Sequence, residues 1–62
     1  MIVEMENSEE CCLASYRSTI APRKGDIVEI FEDNSNNEYE VTKVHHCLCG
    51  KNLKILAYVN KV

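Results

Sequence analysis

The fold is decided by Pro22-Arg23-Lys24-Gly25-Asp26-Ile27-Val28-Glu29-Ile30 and by the stretch it leads to, Tyr39-Glu40-Val41-Thr42-Lys43-Val44-His45-His46. Pro22 fixes its own φ at about −65°, and Gly25 can adopt a positive φ just before the apolar run begins. The run from Ile27 is rich in β-branched residues, which is typical of a strand. Together the two stretches predict a turn, a strand, a polar loop and a second strand, which is the middle of a small antiparallel barrel.

The length and charge of the chain limit what it can do. With 62 residues it is expected to form one domain, residues 1–62. Folding at this size buries only about 60% of the surface that the unfolded chain exposes, so we expect a small core, to which a metal, a disulfide or self-association as a homo-oligomer could add stability. The net charge of −3 argues against nucleic acid as a partner, since affinity for phosphate comes from clustered Lys and Arg.

Neither a membrane segment nor a targeting segment is predicted. No apolar run approaches the roughly 20 residues that a membrane helix requires. Residues 1–6 lack the basic start and the apolar stretch of a signal peptide. We therefore expect a cytoplasmic protein without a membrane partner.

The first part of the chain predicts two further strands. Residues 1–6 alternate between apolar and polar side chains, as a short strand does. The next segment fits two structures, because Cys12, Ala14 and Tyr16 alternate as in a strand, while a short helix over about 9–18 could pack on the sheet instead. We favour the strand, since a lone short helix has little intrinsic stability.

The second half predicts a bend in one strand. Tyr39 and Val41 share a face, but Val44 follows three residues later and breaks the period of two. A β-bulge or a sharp bend near Thr42 or Lys43 would return Val44 to the interior.

Two connections are also predicted. The six polar residues Glu32–Asn37 contain no apolar anchor and indicate a mobile hairpin tip. Cys49–Asn52 contains Gly50 and indicates a turn. The closing strand, 53–62, carries apolar side chains on both faces, so its outward Leu56 and Tyr58 are expected to cover a neighbouring element or a partner chain.

Five short strands with tight connections favour an all-β, five-stranded SH3-like barrel, with an OB-like barrel as the alternative. The pattern Pro22-Arg23-x-Gly25-Asp26-x-Val28, followed by Tyr39-x-Val41-x-x-Val44-x-His46, resembles short bacterial and phage proteins of SH3-like shape. The resemblance covers roughly residues 20–62. Proteins of this kind are mostly uncharacterised, so the resemblance implies a fold and no particular activity.

Cysteine and histidine form two clusters that could hold zinc. The candidate ligands are Cys11, Cys12, Cys47, Cys49 and His45. Tetrahedral zinc needs its sulfur ligands close together, whereas alternate residues of a continuous strand are about 6.5 to 7 Å apart and adjacent residues point to opposite faces. The spacing therefore favours small buried side chains and exposed thiols over a zinc site, and no cofactor is expected.

The sequence contains no motif for catalysis, so we expect a protein that is not an enzyme. Our leading hypothesis is an interaction module that binds a protein or sequesters a small ligand, with contacts at Leu56 and Tyr58 or at the turn formed by Arg23 and Lys24. The alternative is nucleic-acid or nucleotide binding, in which Arg17 joins Arg23 and Lys24 to hold phosphate. A zinc-stabilised module is the third hypothesis.

Overall fold

The computed structural model describes residues 1–9, 11–49 and 52–62. Its strands are β1 Ile2–Glu6, β2 Cys12–Arg17, β3 Ile27–Glu32, β4 Ser35–Cys49 and β5 Asn52–Lys61. The described residues contain no helix, so the all-β prediction is confirmed, and so is the choice of a strand over a helix at about 9–18. No helix in the described part of the chain is long and apolar enough to cross a membrane.

The strands form one sheet in the order β2-β1-β5-β4-β3. Its antiparallel pairs are β1 with β2, β4 with β5 and β3 with β4, whereas β1 runs parallel to β5. The sheet curls into a half-barrel that is compatible with a small SH3-like or OB-like barrel. The parallel pair departs from the predicted antiparallel arrangement, and it places β5 between β1 and β4, so that both edges of β5 are paired.

The core lies on the concave face of this sheet, where alternate residues of the three inner strands meet. Val3 pairs with Ile55, and Met5 pairs with Ala57. The fully or almost fully buried side chains are Val3, Met5, Ile30, Tyr39, Val41, Ile55, Ala57 and Val59. Period-two alternation along β5 therefore sends one set of side chains inward and leaves the other set facing solvent.

Two irregularities bend the sheet. The β4–β5 register shifts between Val41 and Lys43, so that Thr42 is the extra residue of a bulge, and Val44 returns to the inner face opposite Ala57. This confirms the predicted bulge.

A second shift, in the β1–β2 pair, leaves Leu13 as an extra residue of β2. Cys12 is therefore paired with Glu6 on the outer face, which corrects the expectation that Cys12 shares a face with Ala14 and Tyr16.

The connection between β3 and β4 is shorter than predicted. Strand β3 extends to Glu32 and β4 begins at Ser35, so the turn consists of Asp33 and Asn34. Their φ values are 51° and 61°, which is the left-handed conformation of a type I′ hairpin turn and suits Asp and Asn. The prediction of a long mobile tip over Glu32–Asn37 is therefore wrong, since most of its polar residues belong to paired strands.

The turn before β3 agrees with its sequence. Gly25 has a φ of 95°, and its N–H donates to the Val41 carbonyl at 2.8 Å. Asp26 accepts a hydrogen bond from the Arg23 N–H through Oδ2 at 2.8 Å and donates its own N–H to the Arg23 carbonyl at 3.0 Å. The turn is thus fixed from both sides, and it aligns the start of β3 with β4. The predicted turn at Cys49–Asn52 centres on residues 50 and 51, which lie outside the described residues.

Candidate partner-binding surface

The outer face of β5 carries two large apolar side chains at the centre of the sheet. Leu56 and Tyr58 are both half-buried, although the core lies on the opposite face. Leu56 is paired with Glu4 on β1 and with His45 on β4. Because directly paired residues point to the same side of a sheet, these neighbours flank Leu56 on the solvent side.

Tyr58 occupies the next outward position and has flanking charges of both signs. Its partner on β1 is Glu6, and its partner on β4 is Lys43. The Lys43 Nζ atom lies 5.8 Å from the centre of the Tyr58 ring, within the range of a cation–π contact. Thr42, the bulged residue, donates from Oγ1 to the Tyr58 carbonyl at 3.2 Å. The bulge thus fixes the strand segment that positions the tyrosine.

An ion pair lies at the other end of this surface, beside Leu56. Lys54 Nζ lies 3.1 Å from Glu4 Oε1. The Glu4 carboxylate raises the pKa of the Lys54 ammonium above its ordinary value, first through their hydrogen bond and then through its charge. Lys54 therefore keeps its positive charge beside Leu56. We call the set Leu56, Tyr58, Glu4, Glu6, Lys43, His45 and Lys54 the outer β5 surface.

Arg17, one of the predicted contact residues, borders this surface. It ends β2 and pairs with Ile2, which in turn pairs with Lys54. Arg17 is exposed, and Ile2 is 40% exposed. The structure therefore brings Arg17, Leu56 and Tyr58 to one face of the sheet, although Arg17 belongs to a different sequence-based hypothesis from the other two.

Arg23 and Lys24 lie elsewhere. Both are exposed in the turn before β3, and the adjacent Gly25 bonds to Val41, which is opposite Val59. Arg17 is instead level with Lys54. Lys54 and Val59 are five positions apart on β5, which is about 16 Å along the strand. The predicted phosphate-binding set of Arg17, Arg23 and Lys24 is therefore not brought together.

The candidate metal ligands also lie on different strands. Cys11 and Cys12 are exposed at the start of β2, while His45 and Cys47 lie on the outer face of β4. Strands β1 and β5 separate β2 from β4, so the two groups are about 14 Å apart. Among the residues described here, no three His, Cys, Asp or Glu side chains are grouped so that they could hold a metal ion. The Cys49 side chain lies outside the description, so the zinc hypothesis stays a prediction.

Sequence reasoning missed the charged residues that surround Leu56 and Tyr58. Part of the signal was present, because Lys54 alternates with the inward residues of β5, as Glu4 and Glu6 do with those of β1. The sequence did not show that β1 would lie beside β5 in parallel register. Only that pairing places both glutamates against the apolar pair.

Comparison with protein family models, with curated proteins and with solved structures finds no match for this chain. A function must therefore be inferred from the geometry of the described residues.

Proposed function

We propose that this protein is a non-enzymatic interaction module that binds a protein partner through the outer β5 surface. The observation that supports this is the position of Leu56 and Tyr58, which form an apolar centre on the solvent face of the central strand. Protein interfaces commonly combine an apolar or aromatic centre with a polar rim. Tyrosine is among the residues that most often dominate the binding energy of such interfaces.

The rim of the surface indicates the charge of the partner. Strand β1 supplies Glu4 and Glu6 on one side, while Lys43 on β4 and Lys54 on β5 supply the positive charges. Complementary charges fix the orientation of two proteins and accelerate their association. Since Glu4 is already paired with Lys54, the partner is expected to place a basic group against Glu6 and an acidic group against Lys43, with an apolar side chain between them.

The surroundings of the Cys11 and Cys12 thiols favour binding over covalent chemistry; the thiol nearest this surface is that of Cys47, which is paired with Lys54. Cys11 Sγ lies 3.8 Å from the Glu9 carbonyl, and Cys12 Sγ lies 3.6 Å from the Ala14 carbonyl. Both thiols thus contact backbone oxygen atoms of their own strand region. A nucleophilic cysteine instead needs an adjacent base or cation that stabilises its thiolate.

The test compares two variants that each remove an aromatic ring from the outer side of the sheet. Tyr58→Ala removes the centre of the proposed surface, and Phe31→Ala removes a 68% exposed ring from β3 as the matched control. Immobilised wild type and both variants are exposed to lysate of the source cells, and retained proteins are identified and then purified. The expected partner binds wild type and Phe31→Ala equally, and it binds Tyr58→Ala at least about 30-fold more weakly, as expected of a residue worth 2 kcal/mol.

Two results would contradict the proposal. One is a purified partner whose affinity is unchanged by Tyr58→Ala and also by Leu56→Arg, with unchanged circular dichroism as evidence that both variants fold. Another is a native mass that exceeds the chain by several hundred daltons and returns to 7.1 kDa on denaturation, because this would favour sequestration of a small ligand.

A further inference from the structure

Strand β4 is much longer than the strand that covers its outer edge. It runs from Ser35 to Cys49, but β3 pairs with it only from Ser35 to Glu40. The turn before β3 extends the contact to Val41, which accepts from the Gly25 N–H and donates to the Asp26 carbonyl. Beyond the bulge, no strand in the described part of the chain pairs with this edge of β4.

The backbone groups along this edge can be identified from the side chains. In a strand, side chains on one face belong to residues whose N–H and C=O groups all point to the same edge. Val41 has an inward side chain and backbone groups that point to the β3 side. Val44, His46 and Leu48 also lie on the inner face, opposite Ala57, Ile55 and Leu53. Their backbone groups therefore point outward along the uncovered edge.

This edge lacks the features that keep other edges of the sheet from pairing. Natural proteins protect exposed edges with charges, bulges or proline. Strand β3 carries Glu29 and Glu32, and β2 contains the bulge at Leu13 and ends at Arg17. The segment Val44–Cys49 contains no Asp, Glu, Lys, Arg or Pro and shows no register shift. Its Leu48 side chain is 76% exposed.

We propose that a second copy of this chain pairs with the β4 edge, antiparallel and about a two-fold axis at His46. In this register His46 faces His46 of the second copy, and Val44 faces Leu48 in both directions. Every outward N–H and C=O of these residues then gains a hydrogen bond, and the exposed Leu48 gains an apolar neighbour. Shifting the axis by one residue to either side would leave one of the three residues without a partner.

The pairing would join two sheets into one and place both outer β5 surfaces on the same side. Leu56 on one copy and Leu56 on the other would be separated by three strand spacings and a stagger of two residues, or about 16 Å. A partner with two matching sites could then bind both copies at once and gain affinity through the second contact. The pairing uses the edge of β4 and does not depend on the proposed function of the β5 face.

A proline substitution tests the pairing directly. The His46 N–H points away from β5, so His46→Pro removes no hydrogen bond within the chain but blocks the edge. The matched control is Glu29→Pro, since Glu29 has its N–H on the free edge of β3 by the same alternation. Leu48→Lys is the second variant, and its control is Phe31→Lys, which substitutes a residue of similar exposure.

The mass of each variant is measured by sedimentation equilibrium from micromolar to millimolar concentration. Wild type and both controls are expected to rise from 7.1 kDa toward twice that mass. His46→Pro and Leu48→Lys should remain at the lower mass, which corresponds to a rise of about tenfold or more in the dissociation constant. If His46→Pro does not fold, Leu48→Lys decides the result, because its side chain is already exposed.

The register is tested by NMR on a mixture of labelled and unlabelled chains. Contacts between Val44 of one copy and Leu48 of the other are expected. The proposal is overturned if wild type stays at 7.1 kDa up to millimolar concentration, if Leu48→Lys dimerises as well as wild type, or if the contacts join other residues. Tyr58→Ala should dimerise normally, so a failure of the partner-binding proposal is distinguishable from a failure of this one.

Discussion

Replacing Ile55 by alanine should cost this protein a large part of its stability. Ile55 is 1% exposed and pairs with Val3 on β1 and with His46 on β4. The substitution removes three buried carbon groups, worth about 2.4 kcal/mol at roughly 0.8 kcal/mol each. The cavity left behind raises the expected loss to about 3 kcal/mol. A chain of 62 residues has a total unfolding free energy of roughly 3–9 kcal/mol.

The control makes the same chemical change at an exposed position. Ile27 on β3 is 55% exposed, so Ile27→Ala should cost under about 1 kcal/mol. Urea titration followed by circular dichroism gives the unfolding free energy of each variant, and an unchanged slope against urea shows that the comparison is valid. In thermal unfolding, a loss of 3 kcal/mol corresponds to a fall in Tm of about 12–24 °C for a domain of this size. Equal losses for the two isoleucines would refute the assignment of inner and outer faces.

Two further predictions concern alkaline pH and the β3–β4 turn. The Tyr39 hydroxyl donates to Glu32 Oε1 at 2.5 Å, and this bond, with desolvation and the Glu32 charge, raises the pKa of Tyr39. The neutral phenol is therefore favoured in the folded state. Its contribution to stability is complete below the ordinary tyrosine pKa of about 10, and it is lost as the pH rises through the higher pKa of the folded state. When the pH is raised from neutral to above 10, urea titrations should show a smaller loss of unfolding free energy for Tyr39→Phe than for wild type. Equal losses for the two proteins would contradict this. At the turn, Asn34→Val should cost about 1–2 kcal/mol because the φ of 61° is unfavourable for a β-branched residue, while Asn34→Gly should cost nothing. Asn36→Val, at an exposed position within β4, is the control and should change the unfolding free energy little.

Local patterns predicted the strands well where the residue period was clear. Strands β1 and β5 followed from their alternation, and the break in period before Val44 located the bulge at Thr42. The turn was misread because Asp33 and Asn34 were counted with their polar neighbours. A stricter reading of which residues tolerate positive φ would have separated them.

The bulge in β2 could not be predicted in the same way. Leu13 and Ala14 both pack against the core, so the period of two is broken between them. In the sequence, Cys12, Ala14 and Tyr16 alternate without any sign of this break. Cysteine and alanine are small and are tolerated on either face, so their alternation does not show that Leu13 also packs inward.

The candidate surface was predicted only in part. Leu56 and Tyr58 were identified because large apolar side chains on the outer face of a strand indicate that another element or a partner covers them. Arg17 was grouped with Arg23 and Lys24 because they are close in sequence, but β2 ends on one side of the sheet and the turn before β3 lies level with Val59. Distance along the chain says little about distance in a sheet, where register decides which side chains are neighbours.

The sequence by itself determined where β1, β4 and β5 form and which of their side chains face the core, because both follow from local sterics and a period of two. The tertiary structure decided that β1 lies parallel to β5 and that β3 leaves the second half of β4 uncovered. Such pairings join segments far apart in the chain, and they are selected by which inner faces bury the most apolar surface together. The charged rim around Leu56 and Tyr58 and the open edge at His46 both result from that selection.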